Sequence, residues 1–210
     1  AHTLGYVFQS PSHMLYAPTV REELAFGPEN LGFDEEAVEE GVEEAIDSLN
    51  IWGLEDYPPL SLSFGQQKRV SIGAILAMRS RILVMDEPTA GQDYWNYMAF
   101  MDSILQTPGF SAVLFITHDL DLAVCYANRV ILMHEGRIAG DGAPYEVLSD
   151  FDLLERCRLV PTSLLKANLE YLPQTGHFMS AEELAQVIHR RRGGGASGEN
   201  DAKEAQQPHR

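Results

Sequence analysis

The chain sets short unbroken apolar runs against longer stretches of helical periodicity. Residues 4–8 read as a short buried strand, and residues 9–18, with Pro11 and Pro18, as a loop. Thr19 followed by Glu22 has the form of a capping box, predicting a short helix through Leu24 that Gly27-Pro28 ends. Asp34 predicts the start of a second helix to about Asn50, with Val38, Val42, Ala45, Ile46 and Leu49 on one face. A third helix is expected from near Gly65. It carries Val70, Ile72, Gly73, Ile75, Leu76 and Ala77, small and apolar residues that imply tight burial.

From residue 82 the rhythm changes. Residues 82–85, 112–116 and 130–133 are continuous apolar runs of the kind buried on both faces of a sheet. Helices are expected between them at about 93–106 and 119–127. Strand alternating with helix predicts βαβ units, an α/β class and a mostly parallel sheet. Gly136 predicts a hairpin turn with Arg137-Ile138-Ala139 as the returning strand. Residues 151–190 read as short helices punctuated by Pro161 and Pro173, the last opened by the capping pair Ser180 and Glu183. Residues 191–210, entered through Gly193-Gly194-Gly195, are expected to be a disordered tail.

Composition narrows the function classes. Against 15 Lys plus Arg stand 31 Asp plus Glu, a formal net charge of −16 in 210 residues. That argues against a nucleic-acid binder, which needs basic residues to replace phosphate counterions, and against a polybasic membrane-surface protein. The charge is uneven. Residues 34–47 hold eight acids and no base on one predicted helix, either a solvated face or an electrostatic docking surface. No apolar run approaches the roughly 18 residues of a membrane span. Cys125 and Cys157 lack partners at zinc-ligand spacing, so ordinary packing in a reduced, cytoplasmic protein is the expectation.

The chemistry-bearing residues cluster at predicted strand ends. Asp86 and Glu87 close the apolar run 82–85, and ligands of open α/β sheets bind beyond such carboxyl ends. Adjacent strand residues face opposite sides, so the two carboxylates take different jobs. One suits a hydrated Mg²⁺, the other polarises an attacking water. His118, after Ile116-Thr117, sits at the next strand end. Leu62-Ser63-Phe64-Gly65-Gln66 opens the third helix, where a serine, a glycine backbone and free helical N–H groups make either an anion site or an ordinary N-cap.

Taken in order, these segments resemble the ATP-binding subunits of ABC transporters over about residues 4–142. Gln9 falls at the Q-loop glutamine, and Leu62-Ser63-Phe64-Gly65-Gln66 is similar to the signature motif. Residues 82–88 resemble Walker B with its catalytic glutamate, Ala90-Gly91-Gln92-Asp93 the D-loop, and His118 the switch histidine. Residues 17–30 resemble the cobalt/nickel and energy-coupling-factor branch, which imports metal ions and vitamins. The resemblance implies a P-loop NTPase core over residues 1–150 with a helical subdomain at about 16–80, and a small helical extension over 151–190 serving as a dimer contact.

The same resemblance implies the working parts. ATP and Mg²⁺ are the ligands. Glu87 is the general base and His118 steadies the attacking water and γ-phosphate. Gln9 and Asp86 hold Mg²⁺, partly through water. Ser63, Gly65, Gln66 and Asp93 contact nucleotide, the signature residues acting on the ATP of a second ATPase subunit. Residues 10–30 meet transmembrane subunits, which puts the protein on the cytoplasmic face of the membrane.

Three departures qualify this. Phe64 stands where the family has glycine, and Gln92 where the D-loop has leucine. The phosphate loop G-x-x-x-x-G-K-[ST] is not found. The chain has three lysines, Lys68, Lys166 and Lys203, and none follows a glycine. The family has that loop before the Q-loop, and this chain opens on Ala1-His2-Thr3 almost at the Q-loop, so truncation is the expectation. The chain alone is then expected not to hydrolyse ATP, and restoring an upstream segment is expected to restore Mg²⁺-dependent ATP binding. The alternatives are a non-transport ABC ATPase, a non-catalytic partner, and the C-terminal half of a two-ATPase fusion.

Overall fold

The computed structural model describes residues 3–90 and 93–194, the side chains of 191–194 excepted. The predicted tail from residue 195 onward, and the D-loop residues Gly91 and Gln92, lie outside the described residues. The chain divides into two compact units, Ala1–Thr117 and His118–Arg210.

The first unit is built on a three-stranded parallel sheet of β1 (Leu4–Val7), β2 (Ile82–Asp86) and β3 (Ala112–Ile116), in that order. Leu4 pairs with Ile82 and Ile82 with Ala112, so side chains of equal register share a face. One face carries Gly5, Val7, Leu83 and Met85, all buried. It is set so close to a helix that a Cβ at Gly5 would lie 2.0 Å from Ile75 Cγ2, which only glycine avoids. The other face carries Leu4, Tyr6, Leu114 and Ile116, each more than a third exposed. The run 112–116 is therefore half-buried, against the expectation of burial on both faces. Apolar sequence states what a strand tolerates; whether the second face is covered depends on what packs there.

Three helices stand between β1 and β2. They are α1 (Val20–Asn30), α2 (Glu35–Leu49) and α3 (Phe64–Ala77). Thr19 and Asp34 cap α1 and α2 as predicted, accepting hydrogen bonds from Glu22 N and Ala37 N. Val20, Leu24, Val42, Ala45, Ile46, Leu49 and Ile72 form their shared core. Close approach is enforced at Gly41, whose added Cβ would lie 2.9 Å from the Ala77 carbonyl oxygen. Pro28 does not end α1. It sits in the last turn, where it removes the N–H that would bond the Leu24 carbonyl, yet the helix runs on to Asn30, whose Nδ2 donates to the Phe26 carbonyl at 2.7 Å. The acidic face of α2 is solvent-exposed, with Glu43 alone half-buried, and is partly ion-paired. Arg21 pairs with Glu39 and Glu43, and Arg79 with Glu40. The buried Glu23 carboxylate accepts from Tyr16 N and Ala17 N at 2.8 Å each and so pins the loop before α1. Between β2 and β3 runs α4 (Tyr94–Gln106).

The second unit holds α5 (Leu120–Tyr126), a hairpin of β4 (Val130–His134) and β5 (Arg137–Gly142), and the helices α6 (Pro144–Val147), α7 (Phe151–Arg156), α8 (Ser163–Thr175) and α9 (Ala181–Gly194). Here β4 departs from expectation. Its antiparallel pairing with β5 is the predicted hairpin, but the two form a two-stranded sheet of their own and only Leu132 within β4 is buried, against the expectation of burial on both faces. The turn has positive φ at Glu135 and Gly136 (48° and 74°), the geometry of a tight two-residue hairpin. Leu120, Val124, Leu132, Val147, Leu148, Leu154 and Leu165 form one core, so α7 and α8 pack with residues 120–148. Pro173 lies inside the last turn of α8, which Gly176 closes at φ 73°.

Candidate functional site

The carboxyl end of β2 carries two of the predicted residues, Asp86 and Glu87. Asp86 ends the strand on the same face as Tyr6, since Tyr6 pairs with Val84 two residues earlier. The Tyr6 hydroxyl donates to Asp86 Oδ2 at 3.0 Å, and that bond raises the phenol pKa. Glu87 leaves the strand with φ 43°, a left-handed conformation uncommon for a residue with a side chain. Its N–H donates to the Ile116 carbonyl at 2.8 Å, and its own carbonyl accepts from Ala90 N at 3.1 Å. Thr117 Oγ1 donates to Glu87 Oε2 at 3.2 Å. The two neighbouring carboxylates thus reach different partners, through the left-handed turn at Glu87 rather than through strand alternation, since the strand ends at Asp86.

Gln9 is exposed just beyond the end of β1. Ser63 and Gln66 form a reciprocal capping box. Ser63 N donates to Gln66 Oε1 at 3.0 Å and Gln66 N to Ser63 Oγ at 3.4 Å. The N-cap reading of this segment therefore holds, and the serine hydroxyl hydrogen is left to donate elsewhere. A Cβ at Gly65 would meet nothing within 4 Å, so this chain makes no steric demand for glycine there. Asp93 caps α4 by accepting from Asn96 N at 3.1 Å, and that cap lowers its pKa. His118, exposed, follows Thr117 directly and opens the second unit.

Asp86 fits a divalent ion of the hard, oxygen-preferring kind. Among the described residues there is no cluster of three or more His, Cys, Asp or Glu. An ion at Asp86 would therefore complete its shell from waters and phosphate oxygens, which is how Mg²⁺ binds nucleotide sites.

Three residues of this region carry no signal in the motifs: Tyr6, Thr117 and Lys68. Lys68, on α3, is fully buried with its ammonium on the Pro88 carbonyl. Burial pushes its pKa down to about 8, while the Glu87 carboxylate pulls it upward. The available clue was a lysine in register with Ile72 and Ile75 on an apolar helix face.

A three-stranded parallel sheet with helices between its strands is an α/β fold of the ABC ATPase kind. Residues 1–90 match the sequence model of the ABC transporter family. The chain is 42% identical over 179 residues to the energy-coupling factor transporter ATP-binding protein EcfA of Methanocaldococcus jannaschii, covering 84% of this chain and 60% of that one. It is 43% identical over 159 residues to EcfA of Methanoculleus marisnigri, covering 74% and 57%. Its fold matches the solved cbiO1 of Clostridium perfringens, described as part of the ABC transporter complex cbiONQ. That match has a TM-score of 0.66 and 27% identity, and covers 91% of this chain and 68% of the other. The chain belongs to the ABC transporter ATP-binding proteins, on the energy-coupling-factor and cobalt side of that family. It spans about 60% of the length of these curated relatives.

Proposed function

We propose that the chain is part of an ATP-hydrolysing subunit that energises an importer of metal ions, cobalt or nickel, or of vitamins. The observation that carries this is the end of β2, where Asp86 and Glu87 diverge to separate partners on a rigid parallel sheet. Glu87 takes the proton from the attacking water, and Thr117 orients the carboxylate that receives it. Asp86 and Gln9 would hold Mg²⁺, which supplies charge neutralisation across the phosphate oxygens when bound. His118 steadies the water and γ-phosphate.

Ser63, Gly65 and Gln66 act on the nucleotide of a second ATPase subunit, the same chain or a related one, and Asp93 lies in the segment between the two. The steric freedom at Gly65 supports this, since close approach from outside is what its bare backbone permits. Residues 10–30 meet the transmembrane subunits, on the cytoplasmic face of the membrane. Among the described residues no helix is long and apolar enough to cross it.

The test uses the full-length product of the gene with its membrane partners. Mg²⁺-dependent ATP hydrolysis should fall about 10²-fold or more in E87Q. Equal turnover in wild type and E87Q would overturn the reading.

A further inference from the structure

We propose that Lys68 is a positioning residue that ties the signature helix α3 to the turn carrying Glu87, and so links the two nucleotide sites each subunit serves. The proposal rests on the reading of Glu87 as general base. A lysine with no solvent exposure is rare unless its ammonium has a specific partner. Here Nζ donates to the Pro88 carbonyl, one residue past Glu87. The rings of Phe64 and Phe100 flank it, with centroids 5.5 and 5.6 Å away, within cation–π range. The Glu87 carboxylate acts on it electrostatically.

This arrangement joins parts that otherwise belong to different sites. Ser63 caps α3, Gly65 and Gln66 lie on its first turn, and Lys68 lies in its second. Under the proposed function those signature residues face the partner's ATP, while Glu87 serves the ATP held by its own subunit. Glu87 holds a left-handed backbone that costs free energy and persists because its surroundings fix it. The bonds from Glu87 N to Ile116, from Ala90 N to Glu87 and from Thr117 to the carboxylate come from β2, β3 and the turn itself. The Lys68 bond comes from α3. A shift of α3 as it engages the partner's phosphate therefore pulls on Pro88 and re-aims Glu87. Phe64, the residue that replaces the family's glycine, supplies one of the two rings over the ammonium.

The full-length product with its membrane partners tests this through wild type, E87Q, K68M, K68R and F64G. K68M should lower kcat about 10²-fold, the scale of a misplaced catalytic group, while KM for ATP stays within about threefold. K68R, keeping charge and donors, should recover a large part of kcat, which a purely structural defect would not predict. If E87Q matches wild type, the general-base reading itself fails. If E87Q is inactive while folded K68M keeps wild-type kcat, or K68R is no better than K68M, the Lys68 proposal alone is overturned. Should K68M not fold, F64G decides. A kcat loss at constant KM supports the link, and an unchanged kcat overturns it.

Discussion

Lys68 carries a buried charge whose cost is measurable through pH. Folding moves its pKa from 10.5 to about 8. At 1.36 kcal/mol per pH unit, the folded chain holds the charged ammonium at a penalty of about 3 kcal/mol. The folded state gives up this proton at lower pH than the unfolded state. Between about pH 8 and 10.5 the unfolded state therefore binds more protons, and stability from this group rises across that window. Below pH 8 the penalty is present in full and constant; above 10.5 it is gone. Glu87 is the carboxylate acting on Lys68, and it pulls the lysine pKa upward against burial. Tyr6 and Tyr16, both with raised pKa, also titrate at alkaline pH, so wild type must be compared with K68M at each pH. Urea denaturation at about pH 7, 9 and 10.5 reads the difference. Wild-type stability should gain about 3 kcal/mol relative to K68M from the lowest pH to the highest. A gap that stays constant would refute the argument that burial, rather than the local bonds, sets the pKa of Lys68.

Other predictions follow from single contacts. Gly41→Ala places a Cβ against the Ala77 carbonyl, which cannot rotate away, so α2 and α3 must part at a cost of about 1–3 kcal/mol, read by thermal or urea unfolding. Glu23→Ala leaves the amides of Tyr16 and Ala17 without their acceptor and should cost about 2–3 kcal/mol, with faster hydrogen exchange confined to that loop. Thr117→Val removes the hydroxyl on Glu87 Oε2 and should lower kcat about tenfold with little change in thermal stability, checked by steady-state kinetics beside a melting curve.

The parallel sheet was readable because its strands are short apolar runs that end in polar chemistry, and because capping residues mark the helices between them. Thr19, Asp34 and the Ser63–Gln66 pair all sit where side-chain hydrogen bonds predict. What failed was information that local sequence does not hold. Residues 130–133 pair with β5 through the turn that Gly136 predicts, but they look like a strand buried on both faces and only Leu132 is buried, because an apolar run does not say what covers it. Pro28 and Pro173 looked like helix ends. Each instead lies in a last turn, where it forgoes a single hydrogen bond and only two further residues of helix follow it. The left-handed backbone of Glu87 was not readable because nothing in the residue favours it; it is imposed by the surrounding bonds. Tyr6 became visible only once pairing with β2 fixed its face.

Phe64 and Lys68 explain one another in a way neither does alone. A phenylalanine where the family has glycine makes no obvious local gain. It opens a helix at an ordinary N-terminal position, and its ring is more than a third exposed. A lysine ammonium with no solvent contact is an equal oddity. With the ring 5.5 Å from Nζ, the phenylalanine excludes water on that side and returns part of the lost hydration through its π face. Removing the ring should then admit water and let the Lys68 pKa climb back toward its ordinary value. F64G accordingly should show a smaller alkaline gain in stability than wild type, while K68M abolishes the gain altogether. An F64G chain whose gain equals that of wild type would mean that Phe100 and the backbone seal the ammonium without help, and that Phe64 owes its place to something else.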